Sequence, residues 1–100
     1  MNKLKIALVT INQPSLTSAC NLVPYLYDYD VDVFGKKDLT HNLENLNLYD
    51  KIDDIMAPAW EGYDALICIF AIGAVVRKIA PFLKDKSTDP AVIVINLKLD

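Results

Sequence analysis

The run Ala71-Ile72-Gly73-Ala74-Val75-Val76-Arg77 is typical of a place where a buried strand passes into a helix. A glycine at position 73 would let the backbone approach a ligand, and the unpaired amides of a first helical turn attract anions. The amides of Gly73 and Ala74 could stabilise a developing oxyanion. Arg77 lies about 100° around the helix from Val76 and could form a forked contact with a carboxylate. The run predicts an anion-binding edge; the alternative is a tight turn beside a solvated arginine.

Residues 77–86 form a basic patch in an acidic chain of net charge −3. The patch holds four cations and one carboxylate, namely Arg77, Lys78, Lys84 and Lys86 against Asp85. A local positive site on an acidic protein suits a soluble polyanion, whereas nucleic acid would need a broad basic face. We therefore add Lys84 and Lys86 to the predicted carboxylate-binding edge and expect no nucleic-acid partner. A charged, solvated turn is the alternative interpretation.

Polar residues also follow the first predicted strand. In open parallel sheets, ligands bind at the carboxyl ends of the strands, where the strand order reverses. We therefore expect the ligand between residues 10–15 and residues 71–77. The polar contacts predicted for it are Thr10, Asn12, Ser15 and Asp89. Asp85 and Asp89 are candidates for a general base only because they lie near the basic patch, so the catalytic residue is left unknown.

Other patterns exclude several classes of site. Asp28-x-Asp30-x-Asp32 is similar to the start of a calcium loop, but Val33 and Leu39 stand where such a loop needs glycine and glutamate. We therefore predict no metal site. His41 is the single histidine and supports no catalytic triad, and two cysteines give no zinc pattern or disulfide framework.

Four apolar runs that alternate with helical patterns must position these residues. Strands are predicted at 6–11, 30–34, 65–70 and 91–95, and helices from Ser15, over 46–56 and from Gly73. We expect the first helix to be short or bent at Pro24. The pattern predicts an α/β fold: a small open parallel sheet of about four strands in the order 2-1-3-4, flanked by helices in a Rossmann- or flavodoxin-like three-layer arrangement.

Length and hydropathy set further bounds. The chain has 100 residues, 53% of them hydrophobic and 23% charged, which predicts one domain over 1–100. No apolar run approaches the roughly 18 residues of a membrane span, so we expect a cytoplasmic protein with no membrane partner. The last strand is apolar on both faces and no helix follows it. The chain is therefore expected to be a fragment of a longer protein, covered by a second copy or by a complementing C-terminal domain.

Residues 64–96 resemble the N-terminal domain of the CbiG family of cobalamin biosynthesis. The resemblance rests on Ala71–Arg77, on Ile79-Ala80-Pro81, on Leu83-Lys84-Asp85-Lys86, and on Thr88-Asp89-Pro90-Ala91-Val92. The start, Lys5-Ile-Ala-Leu-Val-Thr-Ile, is also similar. The chain departs from the family pattern at Ile72 and Ala74, which replace threonine and a larger aliphatic residue. It departs again at Asn96-Leu97, which replaces two acidic residues.

The resemblance implies a cobalt-precorrin-5A hydrolase of the anaerobic pathway, which opens a lactone of a cobalt corrinoid and releases acetaldehyde. The implied substrate is a tetrapyrrole-derived macrocycle that carries many carboxylates, in agreement with the anion-binding edge. The cobalt belongs to the substrate, so no cofactor bound by the protein itself is expected. The alternative is a non-catalytic corrinoid- or partner-binding module that forms one part of a split enzyme.

Overall fold

A computed structural model describes residues 3–39, 46–84 and 88–97. The strands are β1 (Lys5–Thr10), β2 (Asp30–Lys36), β3 (Leu46–Tyr49), β4 (Ala65–Ile69) and β5 (Ala91–Val94). The helices are α1 (Gln13–Leu22), α2 (Asp53–Gly62) and α3 (Ile72–Ile79), with 3-10 turns at Val23–Leu26 and Ala80–Phe82. All strand pairs are parallel, and the sheet order is β3-β2-β1-β4-β5.

The predicted α/β class and strand order are confirmed, and a fifth strand is added. The four predicted strands correspond to β1, β2, β4 and β5, which lie in the predicted order. The helix predicted from Leu46 is wrong over its first part, since Leu46–Tyr49 pairs with the outer edge of β2, with Val33 opposite Leu46 and Lys36 opposite Tyr49. The unpaired edge of β2 offers hydrogen bonds that a helix over these four residues could not use, and α2 begins only at Asp53.

The sheet separates two apolar layers. One face of β1 and β4 packs against α1, through Leu8, Leu16 and Ile69 among others. The opposite face packs against α2 and α3, through Val9, Trp60 and Val75 among others. The central strands β1 and β4 are buried on both faces, which agrees with their continuous apolar sequence. None of the helices in the described ranges is long and apolar enough to cross a bilayer.

Strand β5 forms one border of the sheet. Val92 and Val94 pack against the layer that holds α2 and α3. Ile93 points to the other face of the sheet and is 50% exposed. Among the described residues no strand pairs with the outer edge of β5. Within the described ranges, β5 is therefore a border strand with one unpaired edge.

Candidate functional site

The loop between β1 and α1 is built by two of the predicted polar residues. Asn12 caps α1, and its Oδ1 accepts a hydrogen bond from the Ser15 amide at 2.9 Å. The buried Ser15 hydroxyl accepts from the amides of Ile11 and Asn12, both at 3.0 Å, and donates to the Asn12 carbonyl at 2.9 Å. These bonds use the hydroxyl fully. Ser15 thus fixes the shape of the loop, and Asn12, at the exposed N-cap, borders the space outside it.

Thr10 ties the carboxyl ends of three strands together. It is fully buried, and its hydroxyl donates to the Phe34 carbonyl of β2 at 2.7 Å. Its own carbonyl accepts a hydrogen bond from the Tyr49 phenol of β3. Burial raises the pKa of Tyr49 to about 12, so the phenol stays protonated and remains a donor at neutral pH. Thr10 and Tyr49 therefore hold the edge of the sheet in place.

The N-terminus of α3 presents backbone amides to solvent. Ala71 is the N-cap and makes no side-chain capping bond, and its carbonyl accepts from the amides of Ala74 at 3.0 Å and Val75 at 3.1 Å. The Ala74 amide is thus engaged inside the helix, which leaves the Ile72 and Gly73 amides as the first-turn donors that need an outside acceptor. Gly73 does not adopt a positive φ, and a Cβ atom there would meet nothing within 4 Å. Its missing side chain therefore leaves the helix start open to a ligand.

A crevice of about 270 Å³ lies between the two loops at the carboxyl ends of β1 and β4. The chain runs from β1 towards one border of the sheet and from β4 towards the other, so the crevice marks the point where strand order reverses. Its lining comes from the loop after β1, the loop after β4 and the segment after β5, namely Ile11, Asn12, Pro14, Ser15, Ile69, Phe70, Ala71, Asn96 and Leu97. Asn96 is the polar residue of this crevice that the sequence analysis did not assign to a site, although its place directly after the last predicted strand was a usable signal.

A second pocket, of about 380 Å³, opens at the same edge on the side of α2 and α3. We call it the lysine pocket: Lys36, Lys51, Lys78 and Asp50 surround it, and Ile11, Tyr49, Ile52, Phe70 and Ala74 complete its lining. Ile11 and Phe70 line both cavities and form a shared ridge. The sequence analysis missed this pocket because it assigned residues 46–56 to one helix. That assignment placed Asp50 and Lys51 inside a helix, whereas they lie in the loop after β3.

The structure divides the predicted carboxylate-binding residues between different places. Arg77 is exposed on α3, one helical turn after Gly73, and lines neither cavity. The Lys84 amide donates to Asp89 Oδ2 at 2.8 Å, in the segment that leads into β5. That segment enters at the amino ends of the strands, where the Ala91 amide donates to the Asp64 carbonyl at 3.1 Å. Lys84 and Asp89 thus lie at the edge of the sheet opposite the crevice.

Three residues from the sequence analysis, Lys86, Asp85 and His41, lie outside the described residues. Within the described ranges, no group of three His, Cys, Asp or Glu side chains could hold a metal ion. Cys68 is fully buried in β4, and burial raises the pKa of its thiol to about 11. It is therefore a protonated core side chain at neutral pH, and not a nucleophile.

Comparison with known proteins identifies the family. Residues 54–100 match the family described as Cobalamin synthesis G N-terminal. A cobalt-precorrin-5A hydrolase of Priestia megaterium is 39% identical over 94 residues, which cover 92% of this chain and 25% of the relative. The chain thus spans about a quarter of the length of this curated relative, and no solved structure matches it significantly. The resemblance seen in the sequence is confirmed: the chain belongs to the CbiG family of cobalamin biosynthesis and corresponds to its N-terminal region.

Proposed function

We propose that this chain binds a cobalt corrinoid at the crevice between the β1–α1 and β4–α3 loops and serves as the N-terminal part of a cobalt-precorrin-5A hydrolase. The proposal depends above all on the crevice, which lies where an open parallel sheet binds its ligands. The similarity to the Priestia megaterium hydrolase supports the substrate class. The cobalt enters with the substrate.

The chemistry of lactone opening matches the groups at this edge. Water adds to the lactone carbonyl, the ring C–O bond breaks, and a carboxylic acid and a hydroxyl result. Negative charge develops on the carbonyl oxygen during the addition. The Ile72 and Gly73 amides, at the positive end of the α3 dipole, are suited to stabilise an oxyanion or to hold a peripheral carboxylate. Asn96 borders the crevice with a neutral amide, so it adds no repulsion against an anionic ligand.

Titration of the chain with cobyrinic acid, a cobalt corrinoid with free carboxylates, tests this proposal. The visible absorption of the corrinoid reports its binding. We expect a saturable change with one site per chain. A change that rises linearly with protein concentration and never saturates would contradict the proposal.

Arg77→Ala is expected to weaken cobyrinic acid binding several-fold without unfolding the protein. The side chain is exposed, and exposed substitutions usually change stability by no more than about 0.5 kcal/mol. Arg77 follows Gly73 by one turn, so its guanidinium can reach a carboxylate of a ligand seated at the helix start. Lys84→Ala, at the opposite edge, is the control that removes one positive charge. Equal affinities of Arg77→Ala and wild type would make Arg77 an ordinary surface residue.

A second role, as a non-catalytic module that binds a partner, is favoured by apolar surface next to the site. Ile72 and Val76, four residues apart on α3, are 60% and 52% exposed. Neighbouring apolar side chains on one helix face are typical of surfaces that contact other chains.

We expect the 100-residue chain to self-associate through β5, the strand at one border of the sheet. An open, apolar strand edge pairs readily with another chain, whereas a charged side chain on such a strand opposes pairing. Static light scattering is expected to show a molar mass that rises with protein concentration, and Ile93→Lys should lower it to the monomer value. Thr17→Lys, exposed on α1, is the matched control. A monomeric mass for the wild type at all concentrations would contradict the prediction.

A further inference from the structure

We propose that the lysine pocket is a second binding subsite, which takes peripheral carboxylates of the same macrocyclic ligand while its body lies across the ridge of Ile11 and Phe70. This inference rests on the proposed function, because it assigns a further part of that ligand's binding surface. It goes beyond the crevice, whose lining contains no lysine or arginine.

The charge of the pocket argues for an anion. Its three lysines come from three separate places in the fold: Lys36 ends β2, Lys51 precedes α2, and Lys78 lies on α3. Asp50 is the single carboxylate in the lining, although the chain as a whole has a net charge of −3. Folding has thus gathered positive charge at one point of an acidic protein, which raises the local concentration of an anionic ligand.

Two of these lysines are available to a ligand. Lys78 is already paired with Asp53, at 2.7 Å between Nζ and Oδ1. Lys36 and Lys51 are exposed, and no carboxylate among the described residues forms an ion pair with either of them. An incoming carboxylate would therefore meet two cationic side chains that no carboxylate within the described ranges holds in an ion pair.

The apolar part of the lining selects the class of anion. Ile11, Ile52, Phe70 and Ala74 are apolar, and the Tyr49 hydroxyl already donates to the Thr10 carbonyl. A small inorganic anion would gain nothing from these apolar side chains. A large ligand with an apolar body and a charged periphery matches both parts of the pocket, since ligand sites combine apolar walls with a few polar anchors.

The test compares two double variants of equal net charge. Lys36→Gln/Lys51→Gln removes the two available cations of the pocket, and Lys3→Gln/Lys84→Gln removes two exposed cations near the amino ends of the strands. Each protein is titrated with cobyrinic acid and with its counterpart in which the carboxylates are converted to amides.

We expect the pocket variant to lose about tenfold in affinity for cobyrinic acid, with a smaller dependence on salt, and less than twofold for the amide form. The control variant should stay within twofold of wild type, and Lys36→Arg/Lys51→Arg should retain binding.

The outcomes separate this inference from the proposed function. If wild type binds cobyrinic acid and the pocket variant binds it equally well, the subsite is wrong and the proposed function stands. Equal losses for the acid and the amide form, or equal losses in both double variants, would also overturn the carboxylate subsite. If wild type binds neither corrinoid, the proposed function itself is overturned.

Discussion

Ser15→Ala is expected to lower the free energy of unfolding by about 2–3 kcal/mol, as measured by urea denaturation. The hydroxyl is buried and forms three hydrogen bonds, two accepted from the amides of Ile11 and Asn12 and one donated to the Asn12 carbonyl. Alanine has no oxygen to accept from the two part-buried amides or to donate to the carbonyl, and each hydrogen bond lost costs about 0.5–1.5 kcal/mol.

The same substitution should also weaken corrinoid binding, since these bonds fix the loop that forms one wall of the crevice. Thr17→Ala is the matched control, because it removes a hydroxyl from the exposed side of the same helix. Its effect on stability is expected to stay within about 0.5 kcal/mol. If Ser15→Ala weakened binding and left the free energy of unfolding unchanged, Ser15 would contact the ligand directly and would not be needed to hold the loop.

Gly73→Ala is expected to weaken cobyrinic acid binding about tenfold while the protein remains as stable as wild type or gains up to about 1 kcal/mol. The two effects have opposite signs for separate reasons. The backbone at Gly73 is already helical and a Cβ atom there meets nothing within 4 Å, so alanine fits and favours the helix. The added methyl group stands beside the amides that a ligand must approach closely.

Gly62→Ala provides the matched control for this experiment. Gly62 is also helical and exposed, and a Cβ atom there likewise meets nothing within 4 Å, but it ends α2 at the opposite edge of the sheet. Its substitution should leave affinity unchanged. Should Gly73→Ala bind as tightly as wild type, the start of α3 would be an ordinary helix end and the binding site would have to lie elsewhere.

Much of the fold can be derived from the sequence because the strongest signals are local. Strands β1 and β4 are continuous apolar runs, and such runs are stable only between two covering layers. Their alternation with helical patterns requires parallel pairing, and parallel pairing brings the ends of β1 and β4 to one edge. The crevice between the loops that follow β1 and β4 agrees with that topology, although Ala71 is the one residue of 71–77 in its lining.

Single residues within the site could be assigned a role only from the structure. Ser15 and Thr10 have side chains suited to ligand binding, but folding engages both hydroxyls with nearby backbone groups. Lys84 and Asp89 are close to Arg77 in sequence. Between Arg77 and Lys84, however, the chain reaches the opposite edge of the sheet. Proximity along the chain does not determine which edge a residue occupies, since a helix antiparallel to the strands carries the chain across the sheet.

The sequence by itself determined the family, the order of the four strands that it predicts, and the edge of the sheet at which a ligand is expected. Only the tertiary structure revealed β3 and the lysine pocket. The spacing of Leu46, Tyr49, Ile52 and Ile55 fits a helix, but pairing with β2 takes the first four residues of this segment into the sheet. A strand at the border forms because a distant strand offers unpaired backbone groups. Such long-range pairing leaves little trace in the local pattern, and neither do the lysines that it brings together.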